Sequence, residues 1–237
     1  MRNYLIFDGE DSRDYGVYIT GSGVFNAPGR ALDEVAIPGR DGLFLMDDRH
    51  LENIEVTYPC FIYANYKENI KRFRNMLMSR YSTSGYLRLT DSYHPDEYRM
   101  AACPGPIEIE PTAKLDAGSF DLTFNCRPQR WLTSGEAATS FTSDGTITNP
   151  TEFTAKPLII AYGTGQFNVG NYRVEILSGD QVYFDSELMD AYLASQSKNR
   201  NIKLINGGFP KLSPGSNVVK LGTGIRRLTI TPRWWRV

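Results

Sequence analysis

The sequence predicts a mainly β protein that carries one helix and ends in a β-sandwich. Three observations predict it. Ile54, Val56, Tyr58, Cys60 and Ile62 fall on alternate positions, as one face of a half-buried strand requires. Tyr66, Ile70, Phe73 and Leu77 recur at three- and four-residue intervals, which makes the one convincing helical stripe. Everything beyond residue 143 lacks that periodicity and offers many short strands punctuated by Gly, Asn and Pro, the pattern of a sandwich.

Taken in order, residues 3–8 and 14–20 read as short strands around a turn at 9–12, and Gly21-Ser22-Gly23 is a break. Residues 31–37 and 43–46 flank the turn Ile37-Pro38-Gly39-Arg40-Asp41-Gly42. Pro38 presets φ, while Gly39 and Gly42 permit positive φ, so this turn has unusual backbone demands. A rigid, charged turn at the tip of a long hairpin arm suits docking onto another subunit. The same spacing also suits an ordinary hairpin loop.

Asn65 is placed to cap the helix, with Glu68 three residues on completing a capping-box-like pair. Lys67, Lys71, Arg72 and Arg74 lie mainly off the apolar stripe, and a solvated basic face is the default reading. Residues 86–90 read as a strand, 91–96 as a turn and 97–103 as its hairpin mate. Ile107-Glu108-Ile109-Glu110 alternates apolar and acidic residues. Phe120, Leu122, Phe124 and Cys126 alternate as a core strand that 127–132 brings to an end. The Thr-, Ser-, Ala- and Gly-rich stretch after it marks a boundary, giving domains 1–132 and 133–237. Strand candidates then follow at 146–148, 156–162, 167–169, 172–177, 181–185, 201–205, 217–221 and 226–231, with a short helical turn considered at 191–193.

Composition narrows the function. The 237 residues carry 26 basic and 27 acidic side chains, a net charge of −1. General binding to nucleic acid or to an anionic membrane needs surplus positive charge, so neither is expected. No apolar run approaches the ~20 residues that span a bilayer, and the apolar stretch after Met1 ends too soon for a secretory signal. Cys60, Cys103 and Cys126 sit in apolar strand-like runs far from zinc spacing. Buried, reduced thiols are the expectation.

A search for chemistry finds little. His50 follows Asp47, Asp48 and Arg49, but no serine or cysteine motif accompanies it or His94. Glu108 and Glu110 share a strand face and satisfy the separation of glycosidase carboxylates; the same pattern marks any strand solvated on one side. Asp185, Glu187 and Asp190 lack the calcium-loop pattern. Gly163-Thr164-Gly165 begins like a dinucleotide fingerprint, but Asn168 stands where the third glycine belongs, and a hairpin turn is the better reading. No catalytic residue, metal ligand or cofactor is assigned. Arg226, Arg227, Arg233, Trp234, Trp235 and Arg236 mix cation and aromatic at the C-terminus. Core or subunit contact ranks first there, sugar stacking second and nucleic acid last.

The turn at 37–42 with its alternating strand, the helix near 66–79 and the run Phe120 to Pro128 occur in that order. So do Asn149-Pro150, Ala155-Lys156-Pro157-Leu158-Ile159-Ile160, the turn at 208–217 and Ile230-Thr231-Pro232-Arg233-Trp234-Trp235-Arg236. The whole resembles the distal tail proteins of bacteriophages with long, non-contractile tails. The resemblance implies an N-terminal domain with a β-sandwich-like core, one helix and an extended hairpin arm that builds a homohexameric ring, with two rings a further option. It implies a galectin-like C-terminal sandwich on the periphery. The implied partners are the tail tube protein, the tail-tip or tail-fibre protein and, in some relatives, receptor-binding proteins. The implied place is the virion tail tip, after synthesis in the host bacterial cytoplasm. On this reading Pro38, Gly39, Arg40, Asp41 and Gly42 are subunit contacts. Because galectin-like sandwiches can bind sugars, Tyr162, Tyr172, Tyr183 and Trp235 are candidates for glycan or partner contact. A glycoside hydrolase is a third reading, and no enzymatic activity is expected.

Overall fold

A computed structural model describes residues 2–21, 25–63, 66–105, 108, 110–112 and 117–237. The chain divides into two compact units, residues 1–130 with 237, and residues 131–236.

The first unit contains β1 (Leu5–Phe7), β2 (Glu10–Asp11), β3 (Val17–Ile19), β4 (Arg30–Ala36), β5 (Leu43–Leu51) and β6 (Ile54–Tyr63). It continues with α1 (Tyr66–Ser84), β7 (Leu87–Asp91), β8 (Glu97–Ala102), β9 (Glu110–Thr112) and β10, which runs from Ala117 to Leu132. One sheet orders these as β2-β1-β7-β8-β10-β6-β3, with β9 also on β10. Its two ends meet. Asn3, just ahead of β1, bridges Ile19 in β3, whose N–H donates to Asn3 O at 2.9 Å. The sheet therefore curls back on itself around a single core.

The alternation read from the sequence sets the register. Cys60, Tyr58, Val56 and Ile54 oppose Phe120, Leu122, Phe124 and Cys126, and all eight are buried. Helix α1 adds Ile70, Phe73, Met76 and Leu77 to the same core. Phe73 is fully buried, its ring 5.6 Å from Tyr15 and 6.3 Å from Phe120, a burial worth roughly 2–3 kcal/mol. Arg80 fastens the helix to the first hairpin, reaching Asp8 at 2.6 Å and Glu10 at 3.0 Å. The proposed cap Asn65 and the break at Ser22 and Gly23 lie outside the described residues.

Two local expectations are corrected here. The expected turn at 9–12 holds strand β2, which pairs with β1. Residues 12–15, partly read as strand, form a 3₁₀ turn that Asp11 caps and Gly16 ends at φ +68°. Asp11 binds Arg13 with both its carboxylate oxygens, a local bond that competes with extended pairing.

The second unit holds β11 (Thr139–Phe141), β12 (Gly145–Asn149), β13 (Leu158–Gly163), β14 (Gly165–Val169), β15 (Tyr172–Ile176) and β16 (Gln181–Asp185). After these come β17 (Asp190–Leu193), β18 (Gln196–Ser197), β19 (Ile202–Leu204), β20 (Gly215–Leu221), β21 (Ile225–Thr231) and β22 (Trp235–Arg236). Strands β11 to β21 form two sheets, β11-β21-β13-β16-β17-β18 and β12-β20-β14-β15-β19. Inward side chains of both, among them Ile159, Phe167, Val174, Phe184, Val219 and Leu228, make one sandwich core. Buried Asn149 and Asn217 pin the loops. Asn149 Nδ2 donates to Phe153 O and Leu212 O, and Asn217 Nδ2 donates to Ser213 O and Gly215 O.

The expected hairpin at 163–165 is not one. β13 and β14 belong to different sheets, and Thr164 is where the chain passes between them. Gly163 has φ +110°, and a Cβ there would stand 2.1 Å from Gly224 O. Glycine is required by this close approach, not by phosphate. Residues 190–193 are strand β17, not a helical turn, because Tyr183, Phe184 and Asp185 pair with them.

Candidate functional site

Strands β4 and β5 pair with each other and with no other described strand. Their register places Val35 opposite Phe44, Glu34 opposite Leu45, Asp33 opposite Met46 and Ala36 opposite Leu43. Because side chains alternate, one face carries Leu32, Ala36, Leu43 and Leu45 and the other carries Val35, Phe44 and Met46. Every one of these large apolar side chains is exposed, Leu43 and Leu45 at 55%, Met46 at 51% and Phe44 at 48%. The ribbon is apolar on both faces with no core beneath it.

At its tip, Arg40 N–H donates to Ile37 O at 3.2 Å and closes the turn. Gly39 and Gly42 hold φ of +81° and +82°, and Pro38, Arg40 and Asp41 are exposed with them. At its base, the register shifts between Arg30 and Leu32, and Arg49 takes φ +59°. Three residues of β5 there face one of β4, a bulge that turns the ribbon. Asp47 locks it. Arg30 binds both its oxygens, at 2.9 and 2.5 Å, and Arg49 N–H donates to it at 2.8 Å. The Arg30 bond and the Arg49 N–H hold the Asp47 carboxyl below the ordinary carboxylate range.

The four aromatic candidates separate. Tyr162 and Tyr183 share the outer face of the β13–β16 sheet, where Gln181 Nε2 lies 3.5 Å from Tyr162 Oη and 3.2 Å from Tyr183 Oη. Tyr192, which the sequence reading passed over, stacks on Tyr183 at 5.5 Å and 16°. The Arg227 guanidinium covers Tyr162 at 4.0 Å. Tyr172 lies on β15 in the other sheet. Trp235 packs its ring on Phe153 at 4.5 Å and donates Nε1–H to Thr154 O, so it acts as an anchor and not as an open platform.

The groups weighed for catalysis do not assemble. His50 is on strand β5 and is exposed; its partner is Asp48 O. His94 sits 3.1 Å from Asp91. Burial pushes the thiols of Cys60 and Cys126 up to about 12 and raises that of Cys103, and all three are free and buried. Glu108 and Glu110 cannot be related as a pair, because Ile107, Ile109 and the Glu110 side chain lie outside the described residues. Asp185 is taken up by Arg233, at 2.8 and 2.9 Å. Among the described residues no cluster of metal-ligating side chains occurs, and no helix is long and apolar enough to cross a membrane.

Against known proteins, the fold of the whole chain is similar to the crystal structure of the Dit protein of phage SPP1. That match covers all of both chains at a TM-score of 0.75 and 12% identity. A structure of the phage p2 baseplate in its activated conformation with strontium also matches, over 100% of this chain and 98% of that one. Its TM-score is 0.47 and its identity 10%. No curated protein matches. Residues 4–126 match the family described as the phage tail protein RIFT-related domain. That span is the curled sheet, its helix and the exposed arm, more than half of the chain, and on it this chain belongs to the phage tail protein RIFT-related domain family.

Proposed function

We propose that this phage tail protein is a non-catalytic hub at the distal end of the tail. Six copies close into a ring between the tail tube and the tail-tip or receptor-binding apparatus, with a second ring as an option. Residues 1–132 build the ring and 133–237 form its outer sandwich. The virion tail tip is its place, reached after synthesis in the host cytoplasm. One observation carries the reading, the β4–β5 arm with apolar residues on both faces and no core of its own. Such a ribbon needs cover on two sides, and in a head-to-tail ring each subunit offers a second, different surface to receive its neighbour's arm. The turn Pro38 to Gly42 then lies at the contact, with Arg40 and Asp41 as its polar pair. The likeness to SPP1 Dit, described as a hub adsorption apparatus, supports the same reading.

Light scattering on the full chain, followed by negative-stain images, tests this. A mass of six or twelve subunits with ring views supports it. A monomer at every concentration, alone and with the tail tube and tail-tip proteins added, overturns it. A second reading, glycan recognition by the outer sandwich, draws on the row Tyr162, Tyr183 and Tyr192 beside Gln181. Binding of the chain to host cell walls that is lost in Tyr183→Ala would favour it, and no binding would remove it.

A further inference from the structure

An arm with two bare faces needs a receiving surface, and the first unit carries one that matches it. We propose that the arm docks by its Val35, Phe44 and Met46 face onto an aromatic patch of a second copy of this chain, formed by Tyr18, Phe61 and Tyr63 with Arg2 at the rim. The inference rests on the ring reading and names the two faces that meet in it.

The patch follows from alternation. Val17, Ile19, Cys60 and Ile62 turn inward on β3 and β6, so Tyr18, Phe61 and Tyr63 share the outer face. Tyr18 stands directly opposite Phe61. Their rings lie 5.5 Å apart at 25°, and those of Tyr18 and Tyr63 lie 5.7 Å apart at 29°. The Arg2 guanidinium sits over Tyr18 at 5.2 Å and over Tyr63 at 4.6 Å. None of the four is buried, and Tyr63 keeps 38% of its surface. Farther along the same outer face stand Thr57 and Thr123, which bond to each other at 2.8 Å, as a solvated strand face should. The aromatic character is thus confined to one end of β6.

Charge matches as well. A Cβ at Gly16 would meet Tyr63 O at 3.1 Å and Asn69 Nδ2 of α1 at 3.3 Å, so the first turns of the helix border the patch. They expose Lys67, Lys71 and Arg72 against one acid, Glu68. On the arm, Asp33 and Glu34 are exposed and have no ion pair among the described residues. Asp33 shares its face with Val35, Phe44 and Met46. That face offers the rings an aromatic partner and a thioether, and it offers Arg2 an anion. The opposite face offers aliphatic side chains and Glu34.

Position makes the contact one between subunits. The arm joins β6 just ahead of Ile54, and the patch lies at Tyr63, the other end of the strand. At about 3.3 Å per residue the two are roughly 30 Å apart. Separate donor and acceptor faces are what a head-to-tail contact uses, and within its own subunit the arm leaves Phe44 and Met46 about half uncovered.

Two variants of the full chain, Met46→Cys and Tyr63→Cys, test this; the native cysteines are all buried. Mixed at a concentration where light scattering shows rings, then mildly oxidised, they should give a covalent dimer that neither gives alone. As a second measurement, which stands even if Tyr63→Cys fails to fold, Arg2→Glu should weaken association by roughly tenfold, and Asp33→Arg added to it should restore most of the loss. A mixture that forms rings without the cross-link overturns the docking and leaves the ring standing. So does a covalent dimer from Met46→Cys alone, which would join arm to arm, and so do rings that Arg2→Glu leaves unaltered on dilution. No assembly of the unaltered chain, alone or with the tail tube and tail-tip proteins, overturns the ring reading and this docking with it.

Discussion

Replacing Phe44 and Leu45 together by serine separates assembly from folding. The two residues point to opposite faces of the arm, so the double variant weakens both. Each already has about half of its surface covered by neighbours, with 48% and 55% exposed. Docking therefore recovers about half of the 1.5–3 kcal/mol that full burial of such a side chain yields, or roughly 0.7–1.5 kcal/mol each. Losing both costs about 1.5–3 kcal/mol per interface. At about 1.4 kcal/mol per decade, the subunit contact weakens by roughly 10- to 150-fold. Folding of the isolated chain should change by no more than about 0.5 kcal/mol, because neither residue belongs to a core. Light scattering across a dilution series reads the first quantity and urea unfolding the second. An unchanged midpoint of ring dissociation refutes the argument. So does a loss of monomer stability as large as the loss of association, which would mean that the arm is packed within its own subunit.

Three further outcomes are expected. Arg40→Ala with Asp41→Ala should weaken the ring without affecting monomer unfolding; an unaltered solution mass on dilution would exclude the turn from the contact. Gly163→Ala should cost about 3 kcal/mol or more, since its Cβ would meet Gly224 O at 2.1 Å. Gly39→Ala, with open space around it, should cost only about 1 kcal/mol for its positive φ, and equal costs in denaturant melts would contradict the crossing described for Thr164. Asp185→Ala should cost about 2–4 kcal/mol at pH 7, less than a fully buried pair because Arg233 keeps some exposure. Burial alone would raise the Asp185 pKa, but Arg233 and the N–H groups of Leu188 and Glu187 outweigh it and hold it low. A depressed carboxyl contributes stability above its unfolded pKa near about 4, and that contribution fades as pH falls through the folded value. The gap between variant and parent should thus close below about pH 4, and a gap constant down to pH 2 would refute the assignment.

What was legible in the sequence is what a single strand or helix dictates. Ile54 to Ile62 show their buried face by alternation, and Ile70, Phe73 and Leu77 show theirs by helical spacing, because each pattern depends on one element's own geometry. The exposed turn at 37–42 was likewise readable from Pro38 and its glycines. Features made by distant partners were not. The Asn3–Ile19 bridge that closes the first sheet joins two short segments with no local signal. Thr164 resembles a hairpin tip until Gly224 is seen beside it. The inward turn of Glu97 and Arg99 contradicts their polarity, and only Arg130, more than thirty residues on, makes sense of Glu97. Tyr192 gained interest only once pairing laid it against Tyr183.

The arm also bears on life before assembly. A two-stranded ribbon with open edges and bare apolar faces is the kind of element that joins to its own kind indiscriminately. Residues 30–51 set five acidic side chains against three arginines, and Asp33 and Glu34 stand directly opposite Met46 and Leu45. That surplus of negative charge disfavours the pairing of one arm with another. On the ring reading, this acidic fringe would keep newly made subunits dispersed until a neighbour's surface covers the arm.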